Sequence, residues 1–288
     1  MAEIGQYDIL PINRLATPGA YLEGGDLGEI LLPGRYVTPE MVPGKSVEVF
    51  LYLDSEDRLT AITERPRLVV GEFGKLRVVS VNRRVGAFLD WGLPKDLLLP
   101  FREQHRPVKE GDRVVVYVHL DKRSQRIVAS SRLKQWLDKT KPSFREGQQV
   151  NLMIAGRTPL GYNTIIEGAH SGLLYSDDVP MNLVIGSEIK GYVKAIRSDG
   201  KIDLTLYRTR GSRMTSIKRR ILAGLEENGG FLALNDNSDP DSIRRQFGTS
   251  KKVFKRTLGT LYKERRISFE KNGIRLKGDT PSRPEKRG

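Results

Sequence analysis

Three short signatures recur along the 288-residue chain in one fixed register. Gly19-Ala20-Tyr21 returns as Gly86-Ala87-Phe88 and, more weakly, as Gly161-Tyr162-Asn163, at offsets of 67 and then 75 residues. Glu29-Ile30-Leu31-Leu32-Pro33 returns at the same offsets as Asp96-Leu97-Leu98-Leu99-Pro100 and Ser171-Gly172-Leu173-Leu174-Tyr175. Gly44-Lys45-Ser46-Val47 returns as Gly111-Asp112-Arg113-Val114 and Gly186-Ser187-Glu188-Ile189, which keeps 25 residues between the two marker glycines of every copy. Any one of these matches alone carries little. Three landmarks in one register across three copies specify tandem homologous modules of about 70 residues.

The modules read as strand. In the third, Ile202, Leu204 and Leu206 alternate with Asp203 and Thr205, the period of two of a half-buried strand, and Asp199-Gly200 marks a hairpin before them. The second offers five short strands, Leu76 to Val81, Ala87 to Asp90, Leu97 to Leu99, Val114 to Leu120 and Arg126 to Ser130. Five strands in so short a span predict a small Greek-key barrel, the OB-fold, with the Gly86-type glycines letting a bent strand close it.

After Arg210 the period changes. Met214, Ile217, Ile221 and Leu225 lie on one helix face that stops at Asn228-Gly229-Gly230, and Phe231 to Leu234 reads as a short strand. Asp239-Pro240 begins a second helix, bearing Ile243 and Phe247 and stopped by Gly248. Ser250 is expected to cap a third, with Phe254, Leu258, Leu261 and Tyr262 as its buried stripe. Mid-helix Gly259 suggests close approach of another element or backbone. Ile267-Ser268-Phe269 and Ile274-Arg275-Leu276 flank Lys271-Asn272-Gly273, a hairpin signal. This order predicts a winged helix, whose third helix and wing face nucleic acid. Its candidate phosphate contacts are Lys251, Lys252, Lys255, Arg256 and Lys263 on the helix, then Arg265, Arg266, Lys271 and Arg275. The predicted fold is therefore mainly β with a C-terminal α+β module: three tandem five-stranded OB-fold barrels at 1–67, 68–141 and 142–210, a winged helix at 211–278, and a basic tail at 279–288.

Charge is distributed unevenly over those segments. The net charge of +14 divides into −5, +8, +1 and +10 over the three barrels and the remaining C-terminal residues. Concentrated basic surplus is the electrostatic footprint of a phosphate-binding surface. With no Cys, the chain has no disulfide, thiolate nucleophile or cysteine-ligated metal. Its first residues have neither a basic leader nor an apolar signal core, and no apolar run approaches the roughly 20 residues of a membrane span. A cytoplasmic protein is expected.

Gly74 through Ser131 resembles the RNA-binding domain named after ribosomal protein S-one, on Val85-Gly86-Ala87-Phe88-Leu89-Asp90-Trp91-Gly92, Leu97-Leu98-Leu99-Pro100 and Arg126-Ile127-Val128-Ala129-Ser130. That resemblance implies an RNA strand stacked on aromatics of one barrel face, with a basic residue at the last strand contacting phosphate. Position by position it marks Phe88 and Arg126 in the second module and Tyr175 and Lys201 in the third. Tyr162 falls one place from the Phe88 position, on the opposite face, and Arg83 and Arg84 precede Gly86 as further basic candidates. Trp91 is expected to pack. Three such modules followed by Ser250-Lys251-Lys252-Val253-Phe254-Lys255-Arg256 and the rest of that helix resemble the bacterial conserved virulence factor B family. The family implies a non-catalytic RNA-binding regulator of gene expression.

Catalytic constellations are missing. His105, His119 and His170 are dispersed, Asp177-Asp178 reads as a loop, and no Gly-rich phosphate loop precedes a Lys-Ser or Lys-Thr pair. The expectation is a non-enzyme without cofactor, metal, membrane or small-molecule ligand. Single-stranded RNA is its expected partner. The alternatives are a winged-helix regulator of duplex DNA, and a scaffold whose acidic first barrel docks on a protein such as the ribosome or RNA polymerase.

Overall fold

The computed structural model describes residues 2–140, 142–179 and 182–277, and the anticipated basic tail at 279–288 lies outside them. The chain falls into two units, residues 1–137 and 138–288.

The first unit holds two closed barrels. Strands β1 (Tyr7–Ala16), β2 (Gly19–Glu23), β3 (Glu29–Pro33), β4 (Ser46–Leu53) and β5 (Leu59–Ile62) close in the order β1-β2-β3-β5-β4. β6 (Phe73–Asn82), β7 (Gly86–Asp90), β8 (Leu97–Pro100), β9 (Arg113–Leu120) and β10 (Ile127–Ser130) repeat that path. In the second unit β11 (Gln149–Thr158), β12 (Gly161–Ile166), β13 (His170–Tyr175), β14 (Glu188–Ile196) and β15 (Ile202–Thr205) repeat it again. In each barrel the third and fifth strands pair in parallel and the first strand pairs with both the second and the fourth. A register shift in each first strand, between Ile12 and Arg14, Val78 and Ser80, and Ile154 and Gly156, supplies the bend that closure needs.

Sequence repeat and spatial equivalence coincide. Tyr21 faces Leu31, Phe88 faces Leu98 and Asn163 faces Leu173 across the same two strands. The first marker glycine has a steric origin. Gly19, Gly86 and Gly161 have φ of +150°, +138° and +154°, and a Cβ there would stand 2.0, 2.3 and 2.1 Å from the carbonyl oxygens of Leu32, Leu99 and Leu174. Inward residues alternate as predicted, with Ala87 and Leu89 fully buried on either side of half-buried Phe88. Trp91 packs: it is 3% exposed and meets Phe50 of the first barrel edge-on at 5.8 Å, so the two barrels of this unit share apolar packing.

The second unit ends in α1 (Arg210–Glu227), β16 (Phe231–Leu232), α2 (Pro240–Phe247), α3 (Lys251–Lys263), β17 (Ile267–Glu270) and β18 (Gly273–Leu276). Its sheet runs β16-β18-β17, the winged-helix arrangement. Thr209 and Ser212 form a reciprocal capping box on α1, and Asp239 accepts the Ser242 N–H at 2.9 Å with Pro240 at the first position of α2. Ile217, Ile221 and Leu225 of α1 meet Ile243, Phe247, Phe254, Leu258 and Leu261 in one core.

Four local expectations change. Ser250 occupies the cap position of α3 but makes no side-chain cap bond. Tyr262 is 52% exposed, and buried Thr257 completes the inner stripe instead, its hydroxyl donating to the Val253 carbonyl at 2.9 Å. Gly259 has open space beside its helix, with no other described residue within 4 Å of where a Cβ would stand. The wing turns on Lys271 and Asn272, with Gly273 already paired to Glu270. Gly273 is required because a Cβ would stand 2.1 Å from the Leu232 carbonyl oxygen.

Candidate nucleic-acid interface

On the second barrel, Phe88 of β7, Leu98 of β8 and Val128 of β10 lie side by side on the outward face, because β7 pairs with β8 and β8 with β10. They line a cleft of about 480 Å³ together with Ser80, Val85 and Arg126. The structure thus brings Phe88 and Arg126 together. Tyr52 and Leu53 of the first barrel form part of the same cleft. Arg126 is ion-paired with Asp57 from the β4–β5 loop of that barrel. The guanidinium hydrogen bond holds the Asp57 carboxyl below its ordinary range and raises the arginine. Lys95 also lines the cleft and donates to the Leu53 and Asp54 carbonyls at 2.8 and 2.6 Å, and burial draws it below the ordinary lysine range. Arg83 and Arg84 stand exposed in the β6–β7 turn and form no ion pair among the described residues.

The third barrel differs. Tyr162 is a core residue, 5% exposed, whose hydroxyl accepts the Leu183 N–H at 3.2 Å. Its place one residue from the Phe88 position turns it inward and removes it from any stacking surface. Asn163, exposed, takes the outward position. Tyr175 is half-buried at the β13 end; its hydroxyl donates to Asp203 at 3.3 Å and accepts from Arg197, and Lys194 Nζ lies 5.4 Å from its ring centroid. Lys194 and Arg197 were not singled out from sequence, since only the β14–β15 path sets them around that ring. Both are paired, Lys194 with Asp178 at 2.7 Å and Arg197 with Asp203 at 3.0 Å, and Lys201 pairs with Asp199 at 2.7 Å.

The first barrel is more occupied still. The Arg14 guanidinium lies 3.8 Å from the Tyr21 ring centroid while bonding Glu29 at 2.8 Å. Arg58, at the position of Arg126 and Lys201, is held by Asp54 and Glu56 at 2.8 and 2.7 Å.

Cations of the winged helix divide into two groups. Lys251 donates to the Asn237 carbonyl at 3.1 Å, Lys255 pairs with Asp236 at 3.1 Å, and Arg275 pairs with Glu270. Lys252, Arg256, Lys263, Arg265, Arg266 and Lys271 are all exposed and form no ion pair among the described residues. On α3, residues 252, 255, 256 and 263 follow at three-, four- and seven-residue spacings and therefore share the face opposite the core. Unpaired cations are the ones a polyanion engages without first displacing a carboxylate.

Two of the three histidines are packed against rings, and His105 is exposed. His119 is 8% exposed and lies 4.0 Å from Trp136, centroid to centroid, while Phe144 meets His170 edge-on at 5.4 Å. Asp178 lies in a short turn, bonded by Lys194 and by Arg213 of α1 at 2.8 Å. Among the described residues no three His, Asp or Glu stand close enough to hold a metal ion, and no helix is long and apolar enough to cross a membrane.

Comparison with known proteins matches this architecture. The family model for the S1 domain fits residues 4–64 and again 70–131, and that for the CvfB-like winged helix domain fits residues 219–276. The chain is 29% identical over 284 residues to uncharacterized protein YitL of Bacillus subtilis, covering 93% of this chain and 92% of that one. It is 24% identical over 284 residues to conserved virulence factor B of Staphylococcus haemolyticus, covering 95% and 94%. A crystal structure of a multidomain protein with nucleic acid binding domains from Streptococcus pneumoniae is 24% identical, covers 95% of this chain and 98% of that one, and superposes with a TM-score of 0.42. With S1 domains and this winged helix matched in order, and relatives of that name aligned over most of its length, the chain is similar to the conserved virulence factor B family.

Proposed function

We propose that the protein is a non-catalytic binder of single-stranded RNA that regulates gene expression after transcription. The observation that carries this reading is the unpaired cationic face of α3 and the wing, formed by Lys252, Arg256, Lys263, Arg265, Arg266 and Lys271. It is supported by the cleft of an S1 domain that Phe88 and Arg126 both line. Stacking on such a ring is tolerant of sequence and favours unpaired bases over duplex. The two units are joined covalently, so binding by one raises the effective concentration of RNA at the other.

Fluorescence anisotropy on the full-length protein, with a labelled single-stranded RNA and a duplex DNA of equal length, tests the reading. Tighter binding of the RNA is expected, with a steep fall in affinity as salt rises. Lys252→Glu combined with Arg256→Glu should weaken RNA binding at least tenfold and make the salt dependence shallower. Preference for duplex DNA would instead support a winged-helix regulator of transcription, and salt-independent affinity would count against phosphate binding altogether.

A further inference from the structure

The outward face of α3 carries a feature that charge alone does not explain. Between Arg256 and Lys263 the side-chain row is interrupted at Gly259, where, its own helix backbone and chain neighbours aside, no atom of the described residues lies within 4 Å of where a Cβ would stand. A helix-interior glycine costs helix stability, and no packing here requires it. Beside that gap, one helical turn on, stands Tyr262, 52% exposed, and its ring meets Phe269 of β17, 42% exposed, with centroids 5.4 Å apart. Phe269 shares the inward side of its strand with buried Ile267 yet stays exposed, and among the described residues its ring partner is Tyr262. Two large rings are thus left half in solvent among unpaired Lys263, Arg265 and Arg266. The two acids nearby are already neutralised, Glu264 by Lys218 and Glu270 by Arg275.

We infer that Gly259, Tyr262 and Phe269 form a nucleotide site in which an unpaired base stacks on the Tyr262 ring, held from the side by Phe269 inclined at 46° to it, and the adjoining sugar-phosphate backbone lies over the Gly259 gap between Arg256 and Lys263. The inference rests on the RNA-binding reading and deepens it. The winged helix holds a single strand by stacking, and does not merely lend positive charge. A base in a duplex cannot present its face to these rings, whereas an unpaired one can. The missing side chain lets the strand approach the helix backbone, which an alanine methyl would obstruct.

The test uses the full chain, a labelled single-stranded RNA of about twelve nucleotides and the same RNA annealed to its complement. Tyr262→Leu keeps an apolar contact with Phe269 but removes the stacking face, and Tyr262→Phe keeps both. Stacking on one ring is worth about fivefold or more in affinity. Tyr262→Leu and Phe269→Ala should each weaken single-strand binding by that much, with the salt slope unchanged and duplex affinity altered less than twofold; Tyr262→Phe should bind as the parent does. Gly259→Ala should bind the single strand several-fold more weakly while melting at a higher temperature. Unchanged single-strand affinity in Tyr262→Leu and Phe269→Ala overturns the inference, and if Lys252→Glu with Arg256→Glu still loses RNA, the broader reading survives. Equal losses on single strand and duplex also overturn it, since the rings would then act only by supporting the fold. Failure of the charge variant as well would remove the broader reading itself.

Discussion

Arg126 and Asp57 are 69 residues apart in sequence, yet the carboxylate occupies the guanidinium that the S1 resemblance assigns to phosphate. A phosphate arriving in the cleft must therefore displace Asp57 or share the arginine with it. Asp57→Asn should raise single-strand RNA affinity by up to about fivefold, the worth of an exposed ion pair. Asp26→Asn, which removes the same charge from the same barrel without touching Arg126, should give a smaller gain. In an Arg126→Gln background the Asp57→Asn gain should vanish, as a binding double-mutant cycle would report. The sign with pH follows from the depressed carboxyl of Asp57. Whatever the pair contributes is fully present above the ordinary aspartate value of about 3.9 and is lost as pH falls through the lower folded value. Across about pH 5 to 8 the contact stays closed, so affinity in that window should not change through this pair.

Glycine has opposite meanings in two elements. At Gly86 the backbone has a φ of +138° and a Cβ would collide with the Leu99 carbonyl oxygen at 2.3 Å. Gly86→Ala should destabilise the unit by about 2 kcal/mol or more. At Gly259 the backbone is helical and the space open, so Gly259→Ala should stabilise the protein by up to about 1 kcal/mol. Urea unfolding of both variants separates the two cases by sign. A stabilised Gly86→Ala would mean that barrel closure does not depend on the marker glycine, and a destabilised Gly259→Ala that its helical site is not open. The strand and helix order was legible because each element carries its own period and stop signal. Tyr262 is exposed where its spacing predicts burial because it lies at the edge of the apolar stripe, and only the width of the core decides whether an edge residue is covered.

At the scale of the molecule, net charge by segment was a coarse guide. The third barrel carries only +1, yet holds Lys194, Arg197 and Lys201, each matched to a carboxylate. Among the described residues the exposed cations without an ion pair include those on α3 and the wing and also others on the second barrel, at Arg83, Arg84, Arg106, Lys109, Lys122 and Arg123. On the proposed reading, in which both units contact RNA, binding should discriminate by length. Affinity for an RNA of about 30 nucleotides should exceed that for one of about 8 by at least tenfold. Phe88→Ala with Arg126→Gln should reduce that ratio while leaving the short RNA bound by the winged helix. A ratio near that of the simple increase in available sites would argue that one unit carries all the affinity.

Barrel number and helix order could be read from the sequence by local rules, in which side-chain period sets the face and an obligatory glycine marks the turn. The choice of Phe88 and Arg126 as candidates rests instead on the resemblance to the S1 domain. Folding alone settled which of the candidates remain available. Tyr162 went into the core, Arg126 met Asp57, Lys201 met Asp199, and Tyr262 stayed in solvent against Phe269. The reason is physical: periodicity acts over a few residues, whereas neutralisation of a charge or covering of a ring depends on neighbours that only the folded chain path brings within a few ångströms.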